Sequence, residues 1–322
     1  MDGKQWFREA KFGMMIHWGL YCLPAGEWKG RRMEDWIGEW IQQYFRIPNA
    51  EYHALARAFN PLFFDADQWA QLAVDAGMKY MVITSKHHEG FAMYHSKVDK
   101  FNVVDATPFG RDVLYELANA CAKKGIRFGL YYSQDLDWSE RNGGGYTAHK
   151  HGPNKILGWT NDWDFPDNAH KNYTQCFEDK IKPQVKEILT GYGDLCLIWF
   201  DTPMTISPEQ SRILVDMVHE YQPNCLVNSR VGNGMGDYTS MEDNEIPDEY
   251  MKDGLFESAC TLNDTWGYKS YDANWKSPAR VIELREHLNA RGLNYLLNVG
   301  PDYLGRIPGP SVDILRAVGK RG

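Results

Sequence analysis

The sequence has no long apolar run, no basic tract and no cysteines spaced as a CxxC pair. None of its apolar stretches approaches the roughly 20 residues that a membrane-spanning helix needs. The formal net charge is −8, so the phosphates of a nucleic acid would be repelled. We therefore expect neither a membrane nor a nucleic acid as a partner. No GxGxxG or GxxxxGK segment follows an apolar run, which argues against dinucleotide-binding and P-loop folds.

The cysteines indicate a reducing compartment. There are six, and three of them, Cys196, Cys225 and Cys260, lie inside apolar runs. This placement favours buried free thiols over disulfides. The first residues also lack the charged-then-apolar pattern of a secretion signal. Together these features favour a cytoplasmic location and leave secretion open.

Short apolar runs alternate with amphipathic helical patterns along the chain. The alternation predicts a parallel sheet with helical crossovers, and about seven strands over this length favour a closed, TIM-like (β/α)8 barrel over an open sheet. We expect residues 1–322 to form this single α/β domain. The predicted strands are 12–18, 80–84, 127–133, 195–201, 226–229, 255–260 and 294–300, and the predicted helices are 65–76, 110–124, 175–189, 207–221 and 277–289.

Two segments interrupt this alternation. Residues 139–172 are rich in Gly, Asn, His and Trp, and residues 231–253 are rich in glycine and acids. Each follows a predicted strand, so both should lie on the rim formed by the C-terminal strand ends. Long loops at that rim usually carry function.

The run LCLIWFD, residues 195–201, predicts a strand buried on both faces with Asp201 at its end. A carboxylate at the C-terminal end of an inner strand is where α/β barrels keep their chemistry. The other interpretation is that Asp201 is the N-cap of the next helix, since aspartate is a favoured cap. This stretch alone does not separate the two.

Polar and aromatic residues stand at several other predicted strand ends. Converging groups of this kind predict a binding site, and aromatic faces beside hydrogen-bonding groups suit a sugar. A metal site is the alternative, with His17, His87, His88 and Asp201 as ligands. Against it, neighbouring residues on a strand point to opposite sides, and no HxH or HxxxH spacing occurs there. A third interpretation is that these histidines are buried and form hydrogen bonds with the backbone. The presence of three histidines at strand ends makes this interpretation less attractive.

Hydrolysis of a glycoside would need two carboxyl groups, one ionised and one protonated. Asp201 suits the ionised role if Arg230 or a histidine stabilises its charge. The second group could come from Glu242, Asp243 or Glu245, which cluster on the rim loop. A solvated acidic loop is the other interpretation, and the residues alone favour it.

The chain resembles the α-L-fucosidases of glycoside hydrolase family 29. The matching blocks follow in the family's order from residue 12 to about 308. They include FGMMIHWGLYCLPAGEW, ITSKHHEGFAMYHS, LIWFDTP, VNSRVGNGMGDYTSMEDNEIP, FESACTLNDTWGY and NYLLNVGPDYLGRIP. The resemblance implies a (β/α)8 barrel that removes terminal α-L-fucosyl residues from fucosylated oligosaccharides or glycoconjugates. It further implies retention by double displacement, with no metal and no cofactor.

The resemblance also implies roles for individual residues. Asp201 would be the nucleophile, and Asp243 the acid/base, with Glu242 second and Glu257 third. The residues that would bind fucose are His17, Glu39, Trp40, His87, His88, Tyr131, Trp199, Arg230 and Trp266.

Family members usually carry a C-terminal β-sandwich, which we do not expect within these 322 residues. Two other activities remain compatible with the sequence. One is a fucose-binding barrel with impaired catalysis, which would lack one of the two carboxylates. The other is a transfucosidase, which would share every catalytic residue. Linkage preference and oligomeric state stay open.

Overall fold

A computed structural model describes residues 2–146 and 159–321. These residues form ten strands: β1 (Phe12–Ile16), β2 (Glu27–Trp28), β3 (Arg31–Arg32), β4 (Tyr80–Lys86), β5 (Arg127–Tyr132), β6 (Leu195–Phe200), β7 (Leu226–Val227), β8 (Thr239–Ser240), β9 (Phe256–Thr261) and β10 (Leu293–Val299). β2 and β3 make a separate antiparallel hairpin. The other eight are parallel neighbours in one sheet, in the order β7-β6-β5-β4-β1-β10-β9-β8.

This sheet curls until its two edge strands approach each other. Asn228, just after β7, forms an isolated parallel bridge with Tyr238, just before β8. The backbone N–H of Asp237 also donates to the carbonyl of Val227 at 2.6 Å. The ring therefore closes through a bridge in place of a full ladder. The predicted TIM-like (β/α)8 class is confirmed.

Helices cover most of the outside of the barrel. The described helices are α1 (Gly3–Ala10), α2 (Ile41–Phe45), α3 (Asn49–Ala54), α4 (Ala66–Asp75), α5 (Val113–Lys124), α6 (Tyr173–Cys176), α7 (Lys182–Gly191), α8 (Pro208–Tyr221), α9 (Pro278–Ala290) and α10 (Gly309–Gly319). Residues 222–277, all of them described, contain no α-helix. The short strands β7 and β8 therefore lack the outer helix that completes each unit elsewhere.

Helix α8 shows why the sequence signals are reliable at helix starts. The Ser207 hydroxyl accepts from the backbone N–H of Gln210, and the Gln210 side chain accepts from that of Ser207. This reciprocal pair satisfies two N–H groups that the helix itself leaves unpaired. Pro208 follows at the first helical position, where no N–H is needed. Ser207 is therefore the N-cap of α8, and Asp201 is free for another role.

Several features differ from the sequence-based expectation. The predicted helix 175–189 is divided, because the π-helical turn Phe177–Ile181 separates α6 from α7. Strand β8 lies inside the predicted insertion 231–253, and two residues are too few to show an alternating pattern. Helices α1, α2, α3 and α10 and the hairpin of β2 and β3 were not predicted. Of the predicted insertion 139–172, residues 147–158 lie outside the described part of the chain.

The barrel wall is buried on both faces, as the uncharged strands predict. Every residue of β4, β6 and β10 is buried. The six cysteines are free and buried, which confirms that prediction. Within the described residues, no helix is both long and apolar enough to cross a membrane.

Candidate active site

A cavity of about 550 Å³ opens at the C-terminal ends of the barrel strands. Its lining contains every residue that the sequence predicted for catalysis or for sugar binding, apart from Glu245 and Glu257. The nominated residues that line it are His17, Glu39, Trp40, His87, His88, Tyr131, Trp199, Asp201, Arg230, Glu242, Asp243 and Trp266. Both predicted rim insertions reach the cavity, through Trp159 and through Ser240.

Asp201 directly follows β6 and receives two side-chain donors. The Tyr131 hydroxyl donates to its Oδ2 at 2.8 Å, and an Arg230 nitrogen donates to its Oδ1 at 3.1 Å. Its backbone N–H donates to the Gln134 side chain at 2.8 Å. The Gln134 amide in turn donates to the carbonyl of Arg230. One side chain therefore fixes the backbones of both Asp201 and Arg230.

Arg230 joins the two carboxylates that matter most. Its second terminal nitrogen donates to Asp243 Oδ1 at 2.7 Å, while the first holds Asp201. Its guanidinium also lies 4.7 Å from the ring centre of Trp199. Burial lowers the pKa of Arg230, but the charges of Asp243 and Asp201 outweigh that effect and raise it above its ordinary value. The cation therefore persists between the two acids.

The loop that carries Asp243 is anchored on strand β9. The side-chain oxygen of Asn244 accepts from the backbone N–H and the hydroxyl of Thr261. The backbone N–H of Glu242 donates to the Glu245 carboxylate at 2.9 Å. Glu242 and Asp243 both line the cavity, and Asp243 is the one that reaches Arg230. Residues 242–245 are exposed, as the interpretation of a solvated acidic loop predicts, and the loop nevertheless places Asp243 at the cavity through Arg230.

Glu257, the third candidate for the acid/base, occupies a different place. Its carboxylate is fully buried inside the barrel, where it accepts from the Trp199 indole N–H at 3.0 Å and from the Tyr80 hydroxyl at 2.6 Å. Burial raises its pKa to about 7, and both hydrogen bonds oppose the rise. A carboxyl group in this position supports Trp199 from within the barrel. We therefore keep Asp243 and Glu242 as the candidates for the acid/base.

His87 and His88 both line the cavity because β4 ends at Lys86, before either of them. The expectation that they point to opposite sides holds only within a strand, so it does not apply here. Burial lowers the pKa values of His17, His87 and His88, that of His17 to about 4. All three imidazoles are therefore neutral near pH 7.

Neutral imidazoles offer one donor and one acceptor each. His17 Nδ1 lies 2.8 Å from the side-chain oxygen of Asn298, which can only accept, so His17 Nε2 is left as an acceptor. His88 Nδ1 lies 2.7 Å from the Ser133 hydroxyl, which donates its only proton to the carbonyl of Leu136. His88 Nδ1 therefore donates as well, and its Nε2 also remains as an acceptor.

Aromatic rings and one further carboxyl group complete the cavity. Trp266 lies 5.2 Å from His17, and Trp40 lies 5.1 Å from His88, measured between ring centres. Glu39 accepts from the backbone N–H of Gly267 at 2.7 Å. Such rings can cover the C–H faces of a sugar while the polar groups meet its hydroxyls.

Two supporting residues were missed from the sequence. Gln134 follows β5 directly and ties the backbone of Asp201 to that of Arg230. Asn298, near the end of β10, binds His17 through its oxygen and the carbonyl of Trp266 through its nitrogen. Their positions at strand ends were visible, but amides there gave no chemical signal. Over the described ranges, no group of three or more His, Cys, Asp or Glu is arranged to hold a metal.

The comparisons with known proteins agree with this geometry. A family model described as alpha-L-fucosidase matches residues 2–321. The chain belongs to the α-L-fucosidase family. It is therefore a glycoside hydrolase. The tissue alpha-L-fucosidase of Mus musculus is 32% identical over 338 residues, which cover 98% of this chain and 68% of that protein.

Solved structures of α-L-fucosidases superpose closely on this one. AlfC from Lactobacillus casei, solved with its product α-L-fucose, is 55% identical with a TM-score of 0.93, and the match covers 98% of each chain. The α-L-fucosidase from Vibrio sp. strain EJY3 is 40% identical with a TM-score of 0.92, over 99% of this chain and 54% of that one. A variant of AlfC was solved with the substrate 4-nitrophenyl-α-L-fucopyranoside.

Proposed function

We propose that this α-L-fucosidase hydrolyses terminal α-L-fucosyl residues of glycans by double displacement, with Asp201 as nucleophile and Asp243 as acid/base. The observation that supports these roles best is the proximity of the two carboxylates in one cavity. Arg230 donates to both carboxylates within one cavity, so Asp201 and Asp243 are close neighbours. A fucose-binding barrel with impaired catalysis would lack one of these groups, and both are present.

In the first step, a carboxylate oxygen of Asp201 forms a bond to the anomeric carbon while the glycosidic C–O bond breaks. The electron pair of that bond goes to the leaving oxygen, which takes a proton from Asp243. In the second step, Asp243 takes a proton from water as the water oxygen bonds to the anomeric carbon. The bond from the anomeric carbon to Asp201 breaks as the water attacks, so Asp201 leaves as a carboxylate and the configuration is retained.

Several contacts prepare Asp201 for this role. Tyr131 and Arg230 each donate to one of its oxygens, and a cationic donor suits a nucleophile that must be anionic. Trp199 lies under both donors, with its ring 5.6 Å from that of Tyr131 and 4.7 Å from the guanidinium. Their geometry is thus set before a substrate enters.

The Nε2 atoms of His17 and His88 would accept hydrogen bonds from fucose hydroxyl groups. The indole faces of Trp199 and Trp266 would cover the C–H groups and the 6-methyl group of fucose. We also propose a cytoplasmic location, since the six cysteines are free and buried.

A small panel of chromogenic substrates tests the proposed function. We expect the wild type to hydrolyse 4-nitrophenyl α-L-fucoside and to leave the β-D-galactoside and β-D-fucoside nearly untouched, because the neutral imidazoles and tryptophans match only one arrangement of hydroxyls and methyl group. Proton NMR of the first product should show α-L-fucose before mutarotation. Faster turnover of a β-D-glycoside, or β-L-fucose as the first product, would contradict the proposal.

Activity should fall at alkaline pH because of Glu39. Burial raises the pKa of this carboxyl to about 8, and the N–H of Gly267 opposes the rise. Below about pH 8 Glu39 therefore keeps a proton that it can donate to a fucose hydroxyl. Above that pH the donor is lost and a buried negative charge appears, so kcat/KM should decline with an apparent pKa near 8.

The variant Glu39→Gln separates this group from others that titrate at high pH. Glutamine keeps an N–H donor and does not ionise. Its kcat/KM, measured from pH 6 to pH 10, should be lower than that of the wild type but level across the alkaline range. An unchanged alkaline decline in Glu39→Gln would assign it to another group.

A further inference from the structure

The backbone is strained at Thr202, directly after the proposed nucleophile. Thr202 has φ of 50°, in the left-handed region where a β-branched side chain is crowded. The other non-glycine residues with positive φ in the described ranges are Lys, Ala, Asp, Arg and Asn, so Thr202 is the one β-branched member. Strain of this kind persists where surrounding contacts impose it, and it is concentrated at functional sites.

A buried carboxylate holds the chain that directly follows this strained segment. Asp135 is fully buried, and its Oδ2 accepts from the backbone N–H groups of Met204, Thr205 and Ile206 at 2.9, 2.6 and 2.8 Å. Its other oxygen accepts from the backbone N–H of Gly145 at 3.1 Å. Asp135 therefore holds residues 204–206 of the loop after Asp201 in place, and it does so without a bound substrate.

The buried hydroxyl of Thr202 has no hydrogen-bond partner among the described residues. Thr202 lines the cavity, and its Oγ1 is buried. An unpaired buried hydroxyl is unfavourable, as is the strained backbone that carries it. Both costs fall on one residue beside Asp201. A ligand hydroxyl in the cavity would satisfy Oγ1.

Two tryptophans supply further unpaired donors to the same cavity. Trp36 and Trp159 line it, and the indole N–H of each is buried without a partner in the part of the chain that the structure describes. The ring centres of Trp36 and Trp159 lie 6.0 and 4.9 Å from that of Trp40, and the Trp40 ring in turn packs against His88. They therefore lie one ring beyond the histidines. Aromatic faces with unpaired polar atoms suit a second sugar ring.

We propose that Thr202, together with Trp36 and Trp159, binds the sugar to which the fucosyl residue is attached, and that Thr202 determines specificity for this leaving group. The inference rests on the proposed function, because it assumes that Asp201 attacks a fucoside. A hydroxyl of the leaving sugar pairs with Thr202 Oγ1, and the indoles contact its ring and its other polar groups. A leaving group without hydroxyls gains nothing from Thr202.

The test compares two kinds of substrate for three variants. One substrate is the disaccharide that the wild type cleaves fastest among Fucα(1,6)GlcNAc, Fucα(1,3)GlcNAc and Fucα(1,2)Gal. The other is α-L-fucosyl fluoride, whose leaving group is a single atom. For Thr202→Val, which keeps the shape and removes the hydroxyl, we expect kcat/KM to fall about tenfold more for the disaccharide than for the fluoride.

Two further variants separate the hydroxyl from the strain. Thr202→Ser keeps the hydroxyl and should show a disaccharide-to-fluoride ratio close to that of the wild type. Thr202→Gly removes the hydroxyl and relieves the strain. Its disaccharide-to-fluoride ratio of kcat/KM should therefore fall as it does in Thr202→Val, while its Tm rises.

Two results would overturn the inference. Equal losses on both substrates for Thr202→Val would show that Thr202 serves the fucosyl ring or Asp201 instead of the leaving sugar. A wild-type ratio in Thr202→Gly would show that the hydroxyl makes no contact. If the wild type cleaves neither the fluoride nor any disaccharide, the proposed function fails first and this inference falls with it.

Discussion

The variant Asp201→Asn should lose nearly all turnover of α-L-fucosides, with kcat lower by a factor on the order of 10⁴. The amide has the shape of the carboxylate but does not attack the anomeric carbon, and no covalent intermediate forms. Tyr131 and Arg230 each donate to a different oxygen of Asp201. Asparagine keeps only one oxygen, and its nitrogen is a donor, so one of these two hydrogen bonds is lost. The measurement is the release of 4-nitrophenol from 4-nitrophenyl α-L-fucoside at saturating substrate.

The control for this variant is Asp216→Asn, which changes an exposed aspartate on α8 to the same amide. It should retain wild-type kcat and Tm. Calorimetric titration with fucose should show that Asp201→Asn still binds the sugar, since His17, His88 and Trp266 are unchanged. A kcat for Asp201→Asn within about tenfold of the wild type would remove Asp201 from the role of nucleophile.

The variant Asp243→Ala should slow cleavage of natural fucosides by a factor of about 10³, within the usual range for a general acid. A sugar alkoxide leaves poorly without a proton, whereas 4-nitrophenolate leaves well without one. The loss in kcat/KM should therefore be far smaller for 4-nitrophenyl α-L-fucoside than for a fucosyl disaccharide. Azide needs no general base, so it should restore kcat for the nitrophenyl substrate.

The configuration of the azide product distinguishes the two roles. In Asp243→Ala, azide replaces water in the second displacement, so the product should be α-L-fucosyl azide. In Asp201→Ala, azide takes the place of the missing nucleophile, and the product should be β-L-fucosyl azide. The opposite assignment in either variant would contradict double displacement by these two residues.

Glu242→Ala is the matched control for Asp243→Ala, because it removes the neighbouring acid of the same loop. We expect a much smaller loss of disaccharide turnover, since it is Asp243 that reaches Arg230. If Glu242→Ala shows the large loss and the azide rescue while Asp243→Ala does not, the acid/base is Glu242.

The positions of the strand-end residues could be predicted because their cause is local. An uncharged run such as 195–200 is buried on both faces of a parallel sheet, and the residue after it must emerge at the rim. All parallel strands end on the same rim, so Asp201, His17 and Tyr131 were expected to meet before their contacts were known. The capping residues of α8 are local in the same way.

Features that depend on contacts could not be predicted in this way. Strand β8 has two residues and exists because its neighbour β9 pairs with it. His87 and His88 point into one cavity because β4 ends just before them. The predicted strand 80–84 also ended before them, but the sequence did not show how the chain bends beyond that end. Gln134 and Asn298 are ordinary amides in the sequence, and their importance comes from what they bind.

The sequence by itself determined the (β/α)8 class, the family resemblance and the candidate catalytic and fucose-binding residues of the cavity, because burial patterns and motifs lie in neighbouring positions. Only the tertiary structure decided what those residues do to one another. Arg230 reaches back 29 positions to hold Asp201, and Glu257 lies 58 positions from the Trp199 that it supports. Such contacts depend on the curvature and closure of the barrel, which set the distances between side chains from different strands.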